Sequence, residues 1–214
     1  MDSQQILIAL SLALYCSVIG EIYGTNMKNR QNTYKEILKA KLQDNSKWPT
    51  FERPDFLETL NKTADNAFEK GSIEGYLAAV LIYHQIVEQM VIVLCKSSDF
   101  LIQLSIYPFE YEEYDYRGKM FGLLLGKLKK SATIPETKSL IQQCQQFNNL
   151  RIRMVHKLTG KRSISDIKNQ CKKAEKQFNI IYENFDVIND NYKLMFQDYR
   201  KDTVHMFDIT YQSS

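Results

Sequence analysis

The run Phe147-Asn148-Asn149-Leu150-Arg151-Ile152-Arg153-Met154-Val155-His156-Lys157-Leu158 gathers the side chains best suited to chemistry. An imidazole titrates near pH 6.5, so His156 can take or give a proton close to neutrality. The guanidinium groups of Arg151 and Arg153 stay charged and present forked donors that suit a phosphate. On a helix, Asn149, Arg153 and His156 stand at i, i+4 and i+7 and share one face. Arg151, five residues before His156, is rotated from it by about 140° on ideal geometry. The two can still meet one ligand at a groove edge, or across a two-fold axis where each of two copies supplies both. Leu150, Met154 and Leu158 form the buried stripe of such a helix.

Positive charge gathers in the same region. Between 151 and 176, Arg151, Arg153, Lys157, Lys161, Arg162, Lys168, Lys172, Lys173 and Lys176 face only Asp166 and Glu175. The whole chain is nearly neutral, with 28 Lys and Arg against 25 Asp and Glu, so a local basic region suits a phosphate-bearing partner. Charge runs of this kind also serve as plain solvated faces. The other histidines carry less. His84 lies inside the most apolar segment with Glu88 four residues on, which fits a hydrogen-bonded core pair. His205 has no partner nearby in sequence. Cys16, Cys95, Cys144 and Cys171 are far apart, with no C-x-x-C and no Cys/His cluster, so neither a zinc site nor a disulfide framework is expected. No metal and no cofactor is called for, and four reduced thiols in helix packing point to a reducing, cytoplasmic setting.

The elements that must position these residues are helical. The chain of 214 residues is 44% hydrophobic and 25% charged, the balance of a globular domain rather than of a disordered tail or a fibre. Eight Gly and four Pro leave too little turn punctuation for an all-β sandwich. Gln4 to about Asp44 is expected to form one or two helices, with Tyr34, Ile37, Leu38 and Leu42 on one stripe. The apolar run Ile6 to Ile19 lacks a preceding Lys or Arg and is shorter than a bilayer span of about 20 residues, so no stable membrane insertion is expected. Asn45 to Pro54 is a connection, which Trp48 pins to the body.

A helix follows over 55–70, with Phe56, Leu57, Leu60, Ala64, Ala67 and Phe68 inward, and Gly71 stops it. Ser72 caps a central helix reaching about Cys95, and Lys96-Ser97-Ser98 is expected to break it before a short segment at 99–107. An acidic, tyrosine-rich stretch occupies 107–116. Further helices are expected over 117–130, 136–158 and from Ser163 or Ser165 to about Tyr199, the last with Ile167, Cys171, Ala174, Phe178, Ile181 and Phe185 in register. The expected architecture is all-α: an N-terminal helical arm over 1–50, one helical domain over 55–200 and a tail over 201–214.

With the motif and the order of elements together, the chain resembles the HEPN superfamily of helical nucleotide-binding domains. The hallmark is an Arg, four to six residues, then His, with an Asn shortly before the Arg. Here it reads Asn148-Asn149-Leu150-Arg151, four residues, His156. The context is a long apolar helix with an internal Glu88, a helix bearing Phe121, Gly122, Gly126, Lys127 and Leu128, the motif helix and one last long helix. The resemblance covers about 55–200 and implies a bundle of four to five core helices that dimerises with two motifs facing one another. It implies catalysis by Arg151 and His156, with Asn148, Asn149, Arg153 and Lys157 as phosphate or base contacts. The activity implied is metal-independent cleavage of RNA through 2′-OH attack, leaving 2′,3′-cyclic phosphate ends, in a toxin, abortive-infection or antiviral defence protein with an antitoxin or regulatory partner. Two positions depart from the pattern. Ile152 follows the motif Arg, where active members are often polar, and Leu158 stands where members modified by a nucleotidyltransferase antitoxin carry Tyr.

Two other classes fit the same residues. One is a non-catalytic module of this fold that binds nucleotide or RNA phosphates. The other is an interaction protein in which Arg151 and His156 pair with carboxylates, for instance those at 110–115 of the same or a partner chain.

Overall fold

The computed structural model describes residues 29–30, 32–131, 134–156, 158 and 163–202. The apolar run Ile6 to Ile19, Cys16, Lys157, Lys161, Arg162 and His205 lie outside the described residues. Every regular element among them is helical: α1 (32–43), a 3-10 turn at Asn45–Lys47, α2 (Pro54–Glu69), α3 (Ile73–Ile106), α4 (Phe121–Lys130), α5 (Glu136–His156) and α6 (Ile164–Lys201). This is the all-α bundle the composition implies.

Local chemistry sets the boundaries. Pro54 opens α2 in its first turn, where its missing N–H costs nothing. Gly71, at φ +69°, turns the chain after α2, and the Ser72 side chain then accepts a hydrogen bond from Gly75 N to cap α3. Gly75 also lets α2 and α3 approach closely, since a Cβ there would lie 2.2 Å from the Ala67 carbonyl oxygen. Ser163 caps α6 by accepting from Asp166 N at 3.2 Å. The stripe Ile167, Cys171, Ala174, Phe178, Ile181 and Phe185 is buried as its spacing requires and runs on through Ile188, Tyr192 and Phe196.

α3 is the axis of the bundle and packs against α2, α4, α5 and α6. It is long and apolar enough to cross a membrane by length and composition, with a mean hydropathy of 1.8 over its most apolar window. Here it is the enclosed central helix, with Val80, Val87, Leu94 and Leu104 all in the core. The expected break at Lys96-Ser97-Ser98 does not occur. Ser97 and Ser98 are buried on the inner side of one continuous helix, where their small side chains let neighbours close in. Tertiary packing of Leu94, Phe100 and Leu104 in one register overrides the weak helix propensity of the serines.

Three smaller expectations also change. Phe56 is 54% exposed, because the first turn of α2 stands off α3 and leaves a shallow cleft with Leu60 and Gln85. Ile37 is exposed, because α1 buries only the narrow line through Leu38 and Leu42. α4 begins at Phe121 rather than Arg117, since Asp115 accepts from Arg117 N and Gly118 takes φ +65°, making a turn instead. Trp48 does pin the connection: its Nε1 donates to the Leu42 carbonyl at 3.2 Å, its ring meets Phe196 edge-on and the Arg200 guanidinium lies over it. Cys95, Cys144 and Cys171 are buried free thiols.

Candidate functional site

α5 carries the motif, and its rotation is fixed by Leu140, Ile141, Cys144, Phe147 and Met154, which are buried against neighbouring helices. With that stripe inward, Asn149, Arg153 and His156 are all exposed, one behind another on the solvent face. Arg153 Nε donates to the Asn149 carbonyl at 3.3 Å, which holds the guanidinium along the helix. Exposed Lys168, Lys172, Lys173 and Lys176 lie on the neighbouring α6.

Arg151 takes the other direction. It is half-buried, and its Nε and Nη2 donate to Asn148 Oδ1 at 3.3 and 3.1 Å. Its charge acts on His84 and Glu88 of α3. Burial pulls the His84 imidazole down to about 4, Arg151 pushes it the same way, and the Asn148 side chain opposes both. Burial pushes the Glu88 carboxyl up, against the pull of Arg151 toward the anion. His84 Nδ1 and Glu88 Oε2 are 4.0 Å apart, beyond hydrogen-bond reach, so the expected core pair is not formed. His84 is neutral near pH 7, and its Nε2 is buried without a hydrogen-bond partner among the described residues. The imidazole is held instead by rings, edge-on to Phe121 at 4.9 Å and parallel to Phe147 at 6.2 Å.

The structure thus brings Asn148, Arg151, His84 and Glu88 together where α5 crosses α3. Asn149, Arg153 and His156 lie apart on the outer face of α5, and Lys157 falls outside the described residues. Among the described residues no carboxylate stands within 4 Å of the Arg151 guanidinium, and no group of three His, Cys, Asp or Glu side chains is placed to hold a metal. Three of the four carboxylates of the tyrosine-rich stretch go elsewhere: Glu110 to Arg30, Glu113 to Lys41 and Asp115 to Arg117.

One cluster escaped sequence reasoning. Asp99, 3% exposed, accepts from Tyr111 at 2.8 Å and from Tyr116 at 2.5 Å, with Lys127 Nζ 3.3 Å away. It straps the tyrosine-rich stretch to α3. The phenols of that stretch, not its acids, make the contact; the signal in the sequence is an acid directly before Phe100 in the most apolar helix.

No protein-family model, curated protein or solved structure matches this chain.

Proposed function

We propose that this chain is a metal-independent endoribonuclease of the HEPN type, acting as a cytoplasmic homodimer in a toxin or antiviral-defence role. The observation that carries the reading is the state of Arg151. Its guanidinium is oriented by a neutral amide, with no carboxylate in ion-pair range among the described residues, five residues before an exposed imidazole. An arginine so held keeps its charge available for a phosphate.

In the proposed reaction a neutral His156 takes the proton of a ribose 2′-OH. The 2′-oxygen then bonds to the adjacent phosphorus, and the bond from phosphorus to the 5′-oxygen breaks. The leaving 5′-oxygen takes a proton from the imidazolium of the other copy, and Arg151 offsets the charge that builds on the non-bridging oxygens. The products are a 2′,3′-cyclic phosphate and a 5′-OH. Two copies are required, because Arg151 turns toward α3 while His156 faces solvent on the same helix.

That divergence also favours a second reading. In a single chain the two groups do not address one phosphate, which suits a non-catalytic RNA-binding module using Asn149, Arg153 and the lysines of α6.

The test is incubation of the purified protein with mixed cellular RNA in EDTA, beside His156→Ala, with analysis of fragment ends. The proposal expects cyclic phosphate ends from wild type and a rate at least about 100-fold lower in the variant. Cleavage unchanged in His156→Ala overturns the assignment. Absence of cleavage by both folded proteins, with RNA binding that weakens steeply with salt, establishes the binding module instead.

A further inference from the structure

Away from α5, a cleft of about 230 Å³ opens between the Trp48 connection, α3 and the tyrosine-rich stretch. We propose that it binds a small amino-heterocyclic phosphate, of the size and chemistry of a nucleoside monophosphate, with its ring inside and its anionic group at the rim. The proposal stands independently of the reading of α5.

Three cations reach the rim from three separate elements, Lys41 from α1, Lys47 from the connection and Lys96 from α3. Each already meets a carboxylate, Lys41 with Glu113 at 2.9 Å, Lys96 with Glu52 at 3.1 Å and Lys47 with Asp44 at 3.7 Å. Those carboxylates are 62%, 81% and 46% exposed, and exposed pairs contribute little to stability, so Lys96 and Lys47 turn toward a ligand at little cost, while Glu113, which also lines the cleft, keeps the Gln103 amide donor at 2.8 Å when Lys41 turns. A phosphate can engage more than one of them together, which no single carboxylate of the present set does.

The inner wall has a different character. Phe100, Tyr114 and Tyr116 supply aromatic surface for a planar ring. Asp99 and Gln103, one turn apart on α3 and both nearly fully buried, bring acceptor oxygens to the floor. Lys127 at 3.3 Å offsets the Asp99 charge, so the floor does not repel an anion as a bare carboxylate would. Asp99 Oδ1 is taken by Tyr111 and Lys127, while Oδ2 accepts only from Tyr116 and keeps lone-pair capacity for a ring N–H. Acceptors inside and cations outside match a ligand with donors on its ring and negative charge at its far end. The volume lies below the usual range for ligand sites, so it holds the ring of a single nucleotide with the phosphate outside at the rim, and not a chain.

The experiment is calorimetric titration of the full chain with 5′-AMP, and with adenosine and inorganic phosphate as the two halves. AMP is expected to bind once per chain, with each half at least about tenfold weaker. Lys96→Met and Lys41→Met should each weaken AMP about tenfold with unchanged melting temperature, while His156→Ala binds as wild type does. Phosphate binding as tightly as AMP overturns the ring assignment. No saturable AMP binding at millimolar concentration, or binding indifferent to both lysine substitutions, overturns the site. Binding lost in His156→Ala but kept in Lys96→Met moves the nucleotide to α5 and likewise contradicts the cleft.

Discussion

Two acids of α3, Glu88 and Asp99, stand about three turns apart, and their surroundings differ. Asp99 accepts from two phenols of the segment that wraps over it and pairs with the Lys127 ammonium group of α4. Glu88 has no such set: its nearest histidine is 4.0 Å away and neutral, and the guanidinium that acts on it is hydrogen-bonded to Asn148 instead. A buried acid that joins three side chains of other segments to its helix is a structural tie. A cluster with an under-bonded imidazole, an acid pushed upward and an arginine held by an amide has bonding capacity to spare. The contrast separates an acid that holds this bundle together from one that its fold leaves with few partners.

The largest effect that sharpens this contrast belongs to Asp99. Asp99→Ala leaves Tyr111, Tyr116 and Lys127 without their acceptor and should cost about 3 kcal/mol or more in urea denaturation. A loss under about 1 kcal/mol would remove the distinction between the two regions.

His84 should behave in the opposite sense. Its folded value of about 4 lies below the ordinary 6.5, so the unfolded chain binds the proton more readily between those values. Stability from the neutral imidazole is then complete above about pH 6.5 and is lost as pH falls toward 4, up to about 3 kcal/mol. His84→Leu, set between Phe121 and Phe147, should be within about 1 kcal/mol of wild type at pH 7 and should flatten the stability profile between pH 6.5 and 4. An unaltered acid slope in that variant would show that His84 is not the group being titrated. Smaller still, Glu88→Gln should change stability at pH 7 by less than about 1 kcal/mol, measured in the same urea titration. A cost as large as that of Asp99→Ala would make the two acids equivalent.

Periodicity made most of the architecture legible. The α6 stripe from Ile167 to Phe185, the caps at Ser72 and Ser163 and the stop at Gly71 all follow from local spacing and chemistry that a sequence carries directly. The continuity of α3 did not, because Lys96-Ser97-Ser98 has the composition of a break and only the partners packed around it decide otherwise. For the candidate site, spacing on one helix put Asn149, Arg153 and His156 on a common face, and the structure has all three exposed there. That Arg151 would meet His84 and Glu88, or that Tyr111 and Tyr116 would meet Asp99, depends on how separate elements cross. A helical pattern carries no record of which neighbour each face receives.

The division between tie and ligand site is tested most directly by Arg151→Ala, with urea denaturation and RNA cleavage in EDTA read on the same preparation. The account predicts stability within about 1 kcal/mol of wild type and cleavage lowered at least about 100-fold. Stability lost by several kcal/mol with cleavage retained would make Arg151 a structural tie like Asp99 and contradict the account.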